Sequence, residues 1–327
     1  MSKSEHSGFG NKAAMLRIVF MGTPEFAVAS LDALVKAGYN IVGVITAPDK
    51  PSGRGMKLNE SAVKRYAVEH GLKVLQPEKL KNPDFLAELK SLNADLQVVV
   101  AFRMLPEVVW NMPPMGTINL HGSLLPQYRG AAPINWAVIN GEKETGVTTF
   151  KLKHEIDTGD ILLQQSFPVN EEETAGEVHD KMKEIGAALL IKTVEGIATG
   201  TLKEQSQENL LKDKYKVPVT LKHAPKIFTE TCKIDFTKTT SEVHNLIRGL
   251  SPFPAAFTYL DGKMLKVFKS KKEFIAPKVT PGDYETDGKT FLKFACKDGY
   301  VHFLELQLEG KKKMLIEDFL RGFRVKK

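Results

Sequence analysis

The run Ala94–Ala101 limits the possible folds most, because six of its eight residues are aliphatic and three consecutive valines precede its last alanine. Such a strand is typical of a parallel sheet covered on both faces. At the start of the chain, an apolar run at Leu16–Met21, a helical pattern opening at Pro24 and a second run at Ile41–Ile45 form a βαβ pattern. The sequence therefore predicts an α/β, Rossmann-like parallel sheet. It lacks G-x-G-x-x-G after the first strand, which argues against a dinucleotide-binding enzyme.

The C-terminal third has a different pattern. From Ile227 onward, short apolar runs alternate with turns such as Asp261-Gly262 and Asp298-Gly299, and a helical pattern covers residues 241–248. This predicts a small antiparallel β domain. A polar, lysine-rich stretch without clear periodicity precedes it and reads as a linker. The predicted organisation is a disordered extension at 1–15, a first domain at 16–200, a linker at 201–219 and a β domain at 220–327.

Charge and cysteine content limit the classes of partner. No run of about 18 apolar residues occurs, so we expect no membrane span. The two cysteines, Cys232 and Cys296, have no metal-like spacing and fit a reducing, cytoplasmic setting.

Residues 201–327 hold 25 Lys+Arg against 16 Asp+Glu, a net of +9, whereas residues 1–200 hold 21 against 23, a net of −2. A basic terminal domain suggests that a polyanion is held there, although a merely solvated basic surface would look the same. We expect a monomer.

Candidate chemistry lies at the end of a second apolar strand. In Thr117–His121, Asn119 and His121 alternate with Ile118 and Leu120, so the amide and the imidazole share one face. An amide N–H can donate to a developing oxyanion, and histidine can move protons near neutral pH. Since no G-x-S-x-G elbow is present, direct acyl transfer is favoured over an acyl-enzyme. The alternative is that both side chains only satisfy backbone groups at a strand end.

Asp157 stands in a turn, Asp-Thr-Gly, between two strand patterns. A carboxylate there can orient His121 and hold its charged form. The alternative is an ordinary Asx-turn. The triplet resembles that of aspartic proteases, but their chemistry needs two such carboxylates and the sequence has one Asp-Thr-Gly.

The segment Pro48–Leu58 contains two prolines, two glycines and three basic residues. Arg54 lies between the glycines, where its guanidinium can reach a phosphate. A solvated loop without a ligand is the alternative.

Five stretches together resemble the folate-dependent formyltransferases. They are FMGTPEFAV at 20–28, PDKPSGRG at 48–55, NLHGSLLPQYRGAAP at 119–133, IDTGDI at 156–161 and IRGLSPFPAA at 247–256. The resemblance implies a Rossmann-like parallel-sheet formyltransferase domain followed by an OB-like β-barrel C-terminal domain. It implies 10-formyltetrahydrofolate as co-substrate, no metal, and a tRNA contact at Arg54. It also assigns a folate-proximal loop to Ser123, Leu124, Leu125 and Pro126, and pterin-lining candidates to Phe102, Met104 and Leu105.

The reaction that the resemblance implies is formylation of the free α-amine of methionine on initiator tRNA. Asn119 would donate to the oxyanion, His121 would relay a proton, and Asp157 would orient His121 and favour its cationic form. One rival is a formyltransferase acting on glycinamide ribonucleotide or on a sugar amine, against which the basic second domain and the Arg54 loop argue. Another is a tRNA- or RNA-binding protein that has lost catalysis, against which the intact Asn119, His121 and Asp157 argue.

Overall fold

The computed structural model describes residues 15–52, 57–214 and 220–322. The chain forms two compact units. The first contains the chain up to Arg129, then Gly146–Ser166 and Asp180–Lys222, and the second contains Gly130–Thr145, Phe167–His179 and the chain from His223 on. The predicted extension at 1–15 falls, up to residue 14, outside the described residues.

A seven-stranded sheet carries the first unit, in the order β10-β9-β7-β6-β1-β2-β5. Neighbours from β7 to β5 pair in parallel, and β9 pairs antiparallel with β7. The run at 94–101 supplies β6, whose five residues are all buried, next to β1 at the middle of the sheet. The predicted α/β parallel sheet is confirmed. The strands are β1 Arg17–Gly22, β2 Asn40–Ile45, β5 Val74–Leu75, β6 Leu96–Val100, β7 Thr117–His121, β9 Glu144–Lys151 and β10 Ile161–Pro168, with a separate hairpin of β3 Lys50–Ser52 and β4 Lys57–Asn59.

Two helices of the first part of the chain begin at residues that favour a helix start. Helix α1 starts at Glu25 directly after Pro24, and an acidic first turn suits the helix dipole. Helix α3 has Pro83 in its first turn, and the Asn82 side chain accepts a hydrogen bond from the Asp84 N–H. The helices are α1 Glu25–Lys36, α2 Ala62–Glu69, α3 Pro83–Ser91, α4 Glu107–Trp110, α5 Pro133–Ile139 and α6 Ala175–Thr199.

The segment predicted as a linker contains a helix. Helix α7 covers Gln207–Lys214, and its first residue is only 3% exposed. The stretch looked aperiodic because Gln207, the residue that is buried, is polar. Residues 215–219 lie outside the described part, and the predicted domain boundaries stay a prediction.

The second unit is built on an antiparallel sheet in the order β12-β13-β16-β15-β14, with β17 added beside β16. Helix α9 begins in a capping box formed by Thr239 and Glu242, and it packs its apolar side chains Val243 and Ile247 into the core of the unit. The predicted antiparallel β domain with one inserted helix is confirmed. Its elements are β11 His223–Ala224, which pairs with β8 Arg129–Gly130, then α8 Thr229–Cys232, α9 Thr240–Gly249, β12 Ala256–Leu260, β13 Lys263–Glu273, β14 Tyr284–Thr286, β15 Leu292–Ala295, β16 Tyr300–Leu308, β17 Met314–Leu315 and α10 Ile316–Gly322.

Two buried polar side chains of α9 bind the segment 167–179 within this unit. Arg248 donates to the carbonyls of Asn170 (3.2 Å) and Glu173 (2.9 Å). His244 is 2% exposed, its Nδ1 lies 3.0 Å from the Ser270 hydroxyl, and burial lowers its pKa. The His244 Nε2 lies 3.4 Å from the Glu171 carbonyl oxygen, so His244 and Arg248 both contact residues 73 to 78 positions earlier in the chain.

Within the three described ranges, no helix is long and apolar enough to cross a membrane.

Candidate active site

Strand β7 places Asn119 and His121 on one face of the sheet. In the register, Asn119 lies opposite Val99 of β6 and Phe150 of β9, and His121 lies opposite Thr148. The alternating residues Ile118 and Leu120 are 0% and 3% exposed. Two aliphatic neighbours anchor the strand, so the two polar side chains have a rigid backbone at the carboxyl edge of the parallel sheet, where ligands of such folds bind.

His121 is held from both sides of its ring. Its Nε2 lies 2.9 Å from the carbonyl oxygen of Tyr128, and its Nδ1 lies 3.8 Å from Oδ2 of Asp157. A carbonyl only accepts, so Nε2 carries the hydrogen and Nδ1 is the atom that gains or loses a proton. At 3.8 Å the carboxylate is too far for a direct hydrogen bond, and its effect on the charge of His121 stays a prediction.

The Asp157 turn has an unusual backbone. Asp157 has φ +54°, in the left-handed region that non-glycine residues seldom occupy. Two residues later, Gly159 lies so close to the carbonyl of Lys151 and the ring of Phe150 that a Cβ atom would collide with both. The glycine thus lets the turn press against β9, and this brings the Asp157 carboxylate, with 12% of its side chain exposed, to His121.

Asn119 is half-buried, and its carboxamide has no hydrogen-bond partner among the described residues. Both N–H groups of the Asn119 carboxamide are therefore available to donate to a ligand. The arrangement combines an uncharged donor, a protonatable nitrogen and a carboxylate around one end of β7. These are the groups that a transfer through a tetrahedral oxyanion uses.

Two hydroxyls, those of Thr148 and Ser123, fix the loop after His121. Thr148 donates to the carbonyl of Ser123 (2.7 Å) and accepts from the Leu125 N–H (3.1 Å) and from Nε2 of Gln164 (2.9 Å). The Ser123 hydroxyl donates to the Gln127 carbonyl at 2.6 Å, and Leu125 is 1% exposed. Within the predicted folate loop, the Ser123 and Leu125 side chains therefore stabilise the loop conformation.

Pro126, also in that loop, is buried, whereas Leu124 is half-buried. The remaining contribution that this loop can offer a ligand comes from Leu124 and from backbone groups. Its contact with folate stays a prediction.

Among the described residues, the first unit contains cavities beside the ends of its parallel strands. One of about 630 Å³ lies among the carboxyl ends of β1, β2 and β6 and is lined by Thr23, Ala47, Ala101 and Phe102, with further charged residues at Asp49, Lys50, Glu78 and Arg103. A second, of about 500 Å³, is lined by Met104 and Leu105 among others. The pterin-lining candidates are thus divided between two cavities, and Met104 is 71% exposed.

Arg54 lies outside the described residues, but the start of its loop does not. Asp49 accepts hydrogen bonds from Lys64 and from Nε2 of Gln76, and the bond from Lys64, followed by that from Gln76, lowers the pKa of the Asp49 carboxyl. Gln76 also donates to the carbonyl of Ala47 at 2.9 Å. These contacts fix where the basic loop leaves the sheet.

Two residues that the sequence did not single out contact the Asp157 turn or its partners. Gln207 donates to the carbonyls of Asp157 and Gly159, and it accepts from Arg129. Arg129 lies inside the long motif at 119–133, which could have pointed to it, whereas Gln207 carries no local signal. Among residues 15–52, 57–214 and 220–322, no three or more His, Cys, Asp or Glu side chains cluster to hold a metal ion, and the metal-free reaction stays a prediction.

Known proteins match the chain over nearly its whole length. The formyl transferase family matches residues 16–194, and the formyl transferase C-terminal domain matches residues 226–324. The methionyl-tRNA formyltransferase of Bacteroides fragilis is 54% identical over 313 residues, covering 94% of this chain and 95% of the relative. That of Flavobacterium johnsoniae is 50% identical, covering 94% and 96%.

Solved structures share the fold at low identity. The sugar 3N-formyl transferase WlaRD superposes with a TM-score of 0.66 at 22% identity, over 91% of this chain and 99% of its own. HypX from Aquifex aeolicus in complex with tetrahydrofolic acid gives 0.62 at 19% identity, over 93% of this chain and 47% of its own. With both family matches and relatives of 50% identity or more, the chain belongs to the formyl transferase family.

Proposed function

We propose that this chain transfers the formyl group of 10-formyltetrahydrofolate to the free α-amine of methionine on initiator tRNA. The observation that carries the proposal is the near-complete match to methionyl-tRNA formyltransferases, which spans both units at 50–56% identity. The arrangement of Asn119, His121 and Asp157 supports it because it supplies the groups that such a transfer needs. The setting is the cytoplasm, the protein acts as a monomer, and no metal takes part.

In the proposed reaction, the methionyl amine attacks the formyl carbon and forms a C–N bond, which gives a tetrahedral oxyanion. Asn119 donates an N–H to that oxygen. Collapse breaks the bond between the carbon and N10 of the folate, and the products are formyl-methionyl-tRNA and tetrahydrofolate. One proton leaves the amine and one reaches N10, so no net proton is consumed.

His121 relays that proton through Nδ1, since its Nε2 hydrogen is engaged by the Tyr128 carbonyl at 2.9 Å. Asp157 stabilises the imidazolium during the relay through its charge at 3.8 Å. Ser123, Leu124, Leu125 and Pro126 border the folate. Phe102, at the carboxyl end of β6, contributes an apolar wall to the 630 Å³ cavity.

The tRNA is held by Arg54 and by lysines of the second unit. Exposed Lys269 and Lys271 on β13, and Lys311 and Lys312 after β16, have no ion-pair partner in the described part of the chain. Four phosphate contacts would give a slope of about −3.6 for log affinity against log salt, or about a 100-fold loss between 50 and 200 mM. A slope near zero would exclude phosphate binding by this surface.

The test is formyl transfer from 10-formyltetrahydrofolate to methionyl-tRNA. We expect His121→Ala to lower kcat by about 10²–10⁴-fold and Asn119→Ala by about 10²–10³-fold. Exposed His70 on the end of α2 provides the control, and His70→Ala should leave kcat unchanged.

Arg54→Ala tests the acceptor. We expect a higher KM for tRNA and an unchanged KM for folate, with exposed Arg65→Ala as the matched control. If the wild-type protein formylates a small or sugar amine, and Arg54→Ala does not change the KM for tRNA, the tRNA substrate is contradicted. A protein that binds tRNA without transferring a formyl group would instead be a binding protein on this scaffold.

A further inference from the structure

Gln207, the first residue of α7, is buried with 3% exposure and directs its carboxamide at the Asp157 turn. Its Nε2 lies 2.8 Å from the carbonyl oxygen of Asp157 and 2.9 Å from that of Gly159. Both N–H donors of the amide are thereby used on one turn. The next two helix residues, Glu208 and Asn209, are exposed, so Gln207 is the buried residue among the first three of this helix.

Arg129 determines which way the carboxamide points. Its Nε and Nη2 lie 3.0 Å and 2.6 Å from Oε1 of Gln207. A guanidinium has donors only and a carbonyl accepts only, so all four contacts are satisfied in one amide orientation and in none if the amide is flipped. The orientation of Gln207 thus follows from the chemistry of its neighbours.

The turn needs such a contact because its backbone is costly. A non-glycine residue in the left-handed region, as Asp157 is at φ +54°, costs about 1–2 kcal/mol. Glu155 and Ile156, just before it, are exposed. Two hydrogen bonds from a buried amide offset that cost and fix the point from which the Asp157 carboxylate faces His121.

The contacts close a ring around His121. The Tyr128 carbonyl accepts from Nε2 of His121, and the next residue, Arg129, donates to Gln207. Gln207 in turn donates to the Asp157 turn, and the Asp157 carboxylate faces Nδ1 of His121. The two partners of the imidazole are therefore connected to each other through one amide. Displacement of that amide alters the relation of Asp157 to Nδ1 without removing any group that touches substrate.

We propose that Gln207 is a positioning residue for the reaction, which acts through the Asp157 turn and is itself oriented by Arg129. The inference rests on the proposed function for its kinetic test. Its predicted effect on the turn does not depend on the identity of the substrate.

Gln207→Glu is the sharpest variant because it preserves the shape of the side chain. The glutamate keeps a partner in Arg129 but turns a carboxylate oxygen toward two carbonyl oxygens that had accepted N–H bonds. We expect kcat to fall by about 10–100-fold, as misplacement of a catalytic group by roughly 1 Å does, with KM for both substrates changed by less than about threefold. Asn209→Asp makes the same chemical change at an exposed position of the same helix and should behave as wild type.

A double-mutant cycle separates positioning from a general structural role. If Gln207 acts through Asp157, Gln207→Glu should cost less than about threefold in kcat once Asp157→Ala is already present. Multiplied losses in the double variant would overturn the proposal. So would a wild-type kcat in Gln207→Glu after correction for the folded fraction, measured by circular dichroism.

Hydrogen–deuterium exchange makes the test independent of substrate. Peptides covering residues 152–162 should exchange faster in Gln207→Glu than in wild type or Asn209→Asp, and unchanged exchange would refute the positioning role. If wild type fails to formylate methionyl-tRNA while this exchange difference is present, the proposed function is wrong and the positioning role stands.

Discussion

Thr148 and Thr149 offer a matched pair for testing how the loop after His121 is held. They are adjacent on β9, both are 0% exposed, and they point to opposite faces of the sheet. Thr148 holds the loop at Ser123 and Leu125, whereas the Thr149 hydroxyl lies 2.8 Å from that of Thr193 on α6. Valine replaces threonine with little change in shape, so each substitution removes hydrogen bonds alone.

The two losses differ in size. Thr148→Val leaves the buried Ser123 carbonyl and Leu125 N–H without the hydroxyl, while Gln164 keeps its bond to the Leu125 carbonyl at 2.8 Å. At about 1–3 kcal/mol for each of these two unsatisfied buried groups, we expect about 2–6 kcal/mol of lost unfolding free energy. Thr149→Val leaves Thr193 its bond to the Leu189 carbonyl and should cost about 1 kcal/mol.

The assays are urea denaturation and steady-state kinetics. Besides its larger loss of stability, Thr148→Val should raise the KM for 10-formyltetrahydrofolate about tenfold, equivalent to about 1.4 kcal/mol, and Thr149→Val should leave that KM unchanged. Equal stability losses in the two variants would refute the hydrogen-bond reasoning. A large stability loss with an unchanged KM would remove the loop at 123–126 from the folate site.

Two further predictions follow from single residues. Burial lowers the pKa of His244, so below the ordinary histidine pKa of about 6.5 the unfolded chain binds more protons than the folded one. The unfolding free energy should therefore fall as the pH drops from about 6.5 toward the folded pKa of His244. His244→Gln should flatten this part of the curve, measured by denaturation at pH 5–7.5. Gly159→Ala should lower kcat by about 100-fold, because its Cβ collides with the carbonyl of Lys151 and displaces the Asp157 turn. Gly322→Ala, with open space at its Cβ and a φ outside the left-handed region, should leave kcat unchanged.

Features that depend on neighbours along the chain could be predicted from the sequence. Alternation at Thr117–His121 placed Asn119 and His121 on one face, and the βαβ pattern together with the aliphatic run at 94–101 gave the parallel sheet. Side-chain periodicity follows directly from strand geometry, and the carboxyl edge of a parallel sheet is where its strands present their last residues. Strand periodicity and the position of the strand end were therefore enough to predict a candidate site at the end of β7.

Long-range contacts could not be predicted in the same way. Arg129 and Gln207 are separated by 78 positions, and nothing in the polar, lysine-rich stretch around Gln207 distinguishes a buried amide from an exposed one. The membership of Gly130–Thr145 and Phe167–His179 in the second unit is equally hidden. Both depend on which distant backbone groups remain to be satisfied after the sheet has formed.

The geometry around His121 assigns different physical roles to its two contacts. Tyr128, at hydrogen-bond distance, fixes the ring and the tautomer. Asp157 faces the other ring nitrogen, Nδ1, with its carboxylate oxygen at 3.8 Å, beyond direct hydrogen-bond distance. The ring orientation therefore depends on a strand and its following loop, while the position of the carboxylate beside Nδ1 depends on a turn that accepts hydrogen bonds from a distant amide, Gln207.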